Sequence, residues 1–193
     1  MTKSRLEAFS DGVLAIIITI MVLELKAPHG PFFSDLIPLI PTFLSYLLSF
    51  LYLAIYWNNH HHLLQITKGV NGKILWANVH LLFWLSLIPF VTAWSGENHF
   101  SEAPVGAYGI VLMMAGIAYF ILVRAIINFE GKDSLVAKAT GKDFKGKTSV
   151  GIYAFAILLA PYFPLVSLLF YALVAAWWIV PDERIEKLLP PRK

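Results

Sequence analysis

The sequence predicts an all-α fold: a six-span transmembrane helical bundle, both termini cytoplasmic, occupying residues 1–193 as a single transmembrane domain. Three observations predict it. Of 193 residues, 58% are hydrophobic and 14% charged, whereas soluble domains run at about 45–50% and about a quarter. The apolar residues fall in long blocks that meet or approach the roughly 20 residues a helix needs to cross a bilayer core, where backbone groups must pair within the segment. Lysine and arginine, finally, gather in alternate connections, as the orientation rule for membrane proteins requires. This pattern excludes an ordinary water-soluble enzyme.

The first span is expected near 6–25, where Val13 to Leu23 is interrupted only by Thr19. Lys3 and Arg5 ahead of an apolar run imitate a signal peptide, but Glu7 and Asp11 break the start of that run. Leu25-Lys26-Ala27-Pro28 supplies no small-x-small cleavage site, so the helix is expected to be retained. The second span, near 36–57, carries Pro38 and Pro41 close to its start, where a missing backbone donor costs little. The third and fourth, near 74–94 and 105–128, place Trp or Tyr toward an end, as interfacial belts do.

The last apolar block, Val150 to Val180, reads either as one Pro-kinked helix or as two short helices turning around Pro161 to Pro164. Charge favours two, near 150–163 and 164–180. The N-terminus, the connections Asn58 to Lys73 and Phe129 to Lys147, and the C-terminal tail then share one side. Fourteen of the fifteen Lys and Arg residues lie on or at the edge of that side, leaving Lys26 opposite. One long helix would strand Arg184, Lys187, Arg192 and Lys193 across the membrane. The Phe129 to Lys147 segment, rich in Lys and Gly, reads as a solvated, mobile loop. The net charge of +3 is thereby an orientation signal. No nucleic-acid partner is expected, because the cations are not interleaved with aromatics in a polar setting. With no cysteine, thiolate chemistry and disulfides are excluded.

Within the first helix, Ile16, Ile20 and Leu23 fall within roughly 60° of one another, bordered by Thr19. Such a stripe is either a packed helix face or a pore lining that closes by dewetting; spacing fits both. Arg5 lies in line with the stripe, while Asp11 lies roughly 140° from Ile16 and roughly 8 Å inside the start of the span. A carboxylate at that depth is expensive unless paired. Its expected task is to brace the helix against its neighbours, with His60, His61, Asn78 or His80 as partners.

Arg5, Phe9, Ser10 and Asp11 match an Arg-x-x-x-Phe-Ser-Asp signature, and in this the chain resembles the transmembrane protein 175 family of potassium channels, as a bacterial member. Trp57-Asn58-Asn59-His60-His61, and Trp76-Ala77-Asn78 leading to Leu87-Ile88-Pro89-Phe90, add weaker likeness. The resemblance implies a homotetrameric, potassium-preferring cation channel, a multi-pass protein of the cell membrane, the bacterial inner membrane. It implies a pore lined by the first helix of each subunit, constricted at Ile16, Ile20 and Leu23, with Thr19 as its pore-facing hydroxyl and potassium as the permeant ion. Arg5, Phe9, Ser10, Asp11, His60, His61 and Asn78 are implied to hold the helices together.

Two decoys carry little. Ser149-Val150-Gly151-Ile152-Tyr153 approximates the carbonyl filter of other potassium channels but lacks its second glycine and opens a span. His60-His61-His62 suggests a metal site, yet consecutive helical side chains point about 100° apart and cannot converge on one ion. No metal, cofactor or enzymatic activity is expected, since neither a nucleophile elbow nor a nucleotide-binding glycine loop occurs. A proton-coupled secondary transporter using Asp11 or a histidine is the alternative, and a non-conducting membrane scaffold a third reading.

Overall fold

The computed structural model describes residues 2–179, and the regular structure there is entirely helical. Helix α1 spans Lys3–Leu23 and is capped by Thr2, whose hydroxyl accepts the Arg5 N–H. A 3₁₀ segment, Phe33–Leu39, leads into α2 (Ile40–Ile66), with Pro41 in the first turn where no donor is missed. The chain continues through α3 (Gly72–Ser86), α4 (Ile88–Glu97), α5 (Glu102–Glu130), α6 (Leu135–Thr140), α7 (Phe144–Leu159) and α8 (Pro164–Ile179). Four stretches, 3–23, 33–66, 72–97 and 102–130, are long and apolar enough to cross a membrane.

Several boundaries differ from the sequence-based expectation. Helix α2 continues past Trp57 to Ile66, so most of the connection expected from Asn58 is helical. Its reason is a packed face, with His60, Leu63, Leu64 and Ile66 all buried. The single span expected over 74–94 stands as one apolar stretch, 72–97, but its helix is interrupted at Leu87. Pro89 has no N–H to give the Leu85 carbonyl and its ring crowds that turn; the Leu87 N–H closes the end of α3 on Trp84 O at 3.3 Å. Residues 129–147, expected as a loop, hold the end of α5, the short helix α6 and the start of α7. Gly131, at φ +95°, stops α5 in a conformation that favours glycine, and the Ser134 side chain caps α6. Val136 and Ala139 are buried, and Asp143 caps α7 by accepting the Gly146 N–H at 3.2 Å. The last apolar block divides at 160–163 into α7 and α8. The basic tail residues Arg184, Lys187, Arg192 and Lys193 lie outside the described residues.

Helix α5 sits at the centre, packed on α3, α4, α7 and α8, while α1 packs on α2, α3 and α4. Close approach relies on small residues: Ala115 and Ala118 of α5 and Ala156 of α7 are fully buried. An ideal Cβ on Gly96 would stand 2.6 Å from Thr42 Cα, so α4 meets α2 backbone to backbone. Polar side chains tie the same interfaces. Ser49 Oγ lies 2.6 Å from Thr92 Oγ1 and 2.7 Å from Tyr108 OH. The Tyr52 hydroxyl donates to Tyr171 O at 2.6 Å and accepts from Tyr153 at 3.1 Å. In lipid, where burying apolar surface does not distinguish helix from lipid tail, such bonds contribute about 0.6 kcal/mol each and fix which helices meet.

Candidate functional site

Helix α1 has two unlike faces. Leu6, Ser10, Leu14, Ile17 and Met21, spaced at three and four residues, are buried against the bundle. On another side Ile16 is 58% exposed, Ile20 44% and Leu23 76%, and Arg5, Phe9, Gly12 and Thr19 are exposed with them. The chain thus leaves the predicted stripe outside its own core. From Gly12 to Leu23 the helix carries no ionisable side chain, and Thr19 is its only polar one.

The Thr19 hydroxyl has one proton, which points back along the helix to Ala15 O at 3.0 Å and Ile16 O at 2.9 Å. Its oxygen lone pairs remain as acceptors beside Ile16 and Ile20. An exposed apolar stripe with one acceptor can exclude bulk water while offering an oxygen to a passing cation.

The opposite face holds α1 in place. Asn78 of α3 donates through Nδ2 to Ser10 Oγ at 2.9 Å, and Ser10 donates to Leu6 O at 2.8 Å. The other amide atom, Asn78 Oδ1, lies 2.7 Å from His60 Nε2. An amide oxygen only accepts, so His60 carries its proton on Nε2. All three side chains are at most 2% exposed, and they join α1, α2 and α3 in one chain of hydrogen bonds. Asp11 belongs beside this network, but its partner is not among those expected. It accepts from Trp57 Nε1 at 3.0 Å, while His61 stacks on Trp57 at 5.8 Å and bonds Gln65 at 2.9 Å. His80 accepts from Trp84 Nε1 at 3.0 Å. The expected set therefore separates: Ser10, His60 and Asn78 meet; Asp11 pairs one step away; Arg5 and Phe9 lie on the exposed side of α1.

A second polar seam was missed from the sequence. Ser45, Ser49, Tyr52, Tyr56 and His60 recur every three or four residues along an otherwise apolar α2, and Ser45, Ser49, Tyr52 and His60 are buried. That spacing marks a face meeting other helices rather than lipid. Through Ser49 it reaches Thr92, which donates to Ile88 O at 2.6 Å and stands 4.0 Å from Met21 Sδ on α1.

Residues 5–89, from α1 to the start of α4, match the family described as the endosomal/lysosomal potassium channel TMEM175. A potassium channel of Chryseobacterium sp. (strain P1-3) is 56% identical over 189 residues, covering 98% of each chain. The crystal structure of a lysosomal potassium-selective channel TMEM175 homolog from Chamaesiphon minutus superposes with a TM-score of 0.80 at 26% identity, over 93% of this chain and 97% of that one. The endosomal/lysosomal proton channel TMEM175 of Homo sapiens is 32% identical over 96 residues, 43% of this chain and 19% of the human protein.

Proposed function

This chain belongs to the TMEM175 family, whose members are ion channels and not enzymes, and on that premise we propose that it is a potassium-preferring passive channel. Four copies surround an axis, and the exposed stripe of each α1 lines the path, with Ile16, Ile20 and Leu23 as the constriction and gate. The observation that carries this reading is the division of α1. The helix bearing the Arg-x-x-x-Phe-Ser-Asp signature buries Leu6, Ser10, Leu14, Ile17 and Met21, and leaves the Ile16, Ile20 and Leu23 stripe uncovered.

A ring of branched side chains closes by dewetting, because water is unstable in a narrow apolar neck. Widening by one side chain's rotation lets ions through. A neck without carbonyl ligands favours the cation that sheds its water more cheaply, which is potassium over sodium, and the Thr19 oxygens replace part of the lost hydration. Six crossings, with both termini on the cytoplasmic side of the bacterial inner membrane, fit the clustering of cations in alternate connections. The names of the relatives speak for a channel over a proton-coupled transporter. Asp11, the carboxylate a relay would need, is tied to Trp57 off the stripe.

The test is the reversal potential of purified protein in liposomes with unequal potassium and sodium. Current reversing near the potassium Nernst potential is expected. Reversal at the sodium potential overturns the preference, and flux that requires a proton gradient overturns the passive channel.

A further inference from the structure

An open groove runs between α3 and α5 near their ends at the 67–71 and 131–134 connections. Lys73, Trp76 and His80 line it from α3; Phe120, Arg124 and Phe129 line it from α5. Its chemistry is one-sided. No carboxylate is among the lining residues, and among the described residues neither Lys73 nor Arg124 makes an ion pair. The nearest carboxylate on α5, Glu130, is turned elsewhere, accepting the Lys68 backbone N–H. His80 also lines the groove, with its Nε2 accepting from Trp84 Nε1 at 3.0 Å.

Arg124 is the more telling of the two cations. It is exposed on a helix long and apolar enough to cross a membrane, and its guanidinium lies 5.1 Å from the centre of the Phe120 ring. A guanidinium steadied against an aromatic face at the edge of the hydrocarbon, with no carboxylate beside it, is placed to take an anion. The groove's walls limit the choice of anion. Trp76 is 75% exposed and Phe129 48%, giving an aromatic wall beside the cations at the height where interfacial aromatics stand. A free inorganic anion would use the cations and leave that wall idle, whereas a phospholipid uses both.

We propose that the α3–α5 groove is a binding site for an anionic phospholipid, with its phosphate taken by Arg124 and Lys73 and its chain lying along Trp76 and Phe129. The site is independent of the stripe on α1; only its assignment to the cytoplasmic leaflet rests on the functional reading above. Each cation near a membrane surface contributes about a factor of five to the affinity for anionic lipid.

Native mass spectrometry of the purified oligomer, delipidated and equilibrated with mixed phosphatidylglycerol and phosphatidylcholine, reads this directly. The wild-type protein is expected to retain phosphatidylglycerol preferentially. Lys73→Gln with Arg124→Gln is expected to weaken that preference about twenty-five-fold, as two factors of five. Arg124→Lys, which keeps the charge, is expected to stay within a few-fold of wild type, and Lys138→Gln with Lys142→Gln, outside the groove, to change nothing. Equal retention of the two lipids overturns the proposal, as does an unchanged preference in the double variant. Displacement of the lipid by millimolar inorganic phosphate would make it a free-anion site instead. Dissociation of the oligomer by Arg124→Lys, or by Lys73→Gln alone, would make the groove a subunit contact and overturn the proposal equally.

Discussion

Replacing Asn78 by Leu keeps the branching of the side chain and removes both of its polar atoms, which makes it the sharpest probe of how α1 is held. Two bonds disappear: the 2.9 Å bond to Ser10 and the 2.7 Å bond from His60. The losses are unequal. Ser10 keeps its own bond to Leu6 O at 2.8 Å, so that end loses about 0.6 kcal/mol, the average for a bond between membrane helices. His60 is 2% exposed, and its Nε2–H is left buried with no acceptor, which costs about 1–3 kcal/mol. The single variant should therefore be destabilised by about 2–3.5 kcal/mol. Removing the stranded donor as well, with His60→Leu on the same chain, eliminates the greater of these two losses, because replacing both partners of a buried bond by apolar groups is nearly neutral. The double variant should cost about 1–2 kcal/mol, less than the sum of the two single variants by at least about 1 kcal/mol. Unfolding of the purified oligomer in a graded SDS titration, run as a four-protein cycle, measures this. Strict additivity, with coupling under about 0.3 kcal/mol, would refute the assigned bond and the buried donor with it.

Ile16→Asn puts an amide at the neck of the stripe and should raise single-channel conductance several-fold by wetting it; unchanged current in planar bilayers would remove Ile16 from the constriction. Thr19→Val keeps shape and loses the acceptor, so the potassium over sodium permeability ratio should fall while size-exclusion profiles stay the same; an unchanged ratio would deny the hydroxyl any part in selection. Gly96→Ala forces a methyl against Thr42 Cα, where the ideal Cβ distance is 2.6 Å. It should cost about 1–3 kcal/mol through overpacking, seen as a lower thermal midpoint, and an unaltered midpoint would mean that α2 and α4 separate easily.

The helices were legible because hydrocarbon admits few ways to satisfy a backbone, and a long apolar block therefore announces itself. The stripe of Ile16, Ile20 and Leu23 was legible for the related reason that a helix wheel fixes direction. Direction is not depth, however, and Asp11 shows the difference: the wheel turned it off the stripe, but only the packing of α2 brought Trp57 within 3.0 Å of it ahead of any histidine. The break at Leu87 was written in Pro89, yet an apolar run on both sides hid it, since α3 and α4 stay long enough together to look like one span. Helix α6 escaped because six residues give too short a period to stand out among lysines and glycines; Val136 and Ala139 reveal it only by being buried.

The hydroxyl of Thr19 has a consequence beyond offering an oxygen. Its only proton is committed to the carbonyls of Ala15 and Ile16, so toward the exposed side it can accept and cannot donate. Chloride needs donors and finds none along the stripe from Gly12 to Leu23. If four such helices line the proposed path, a ring of these oxygens would discriminate the sign of an ion with no formal charge in the neck, and with no ionisable side chain from Gly12 to Leu23 that discrimination would not depend on pH.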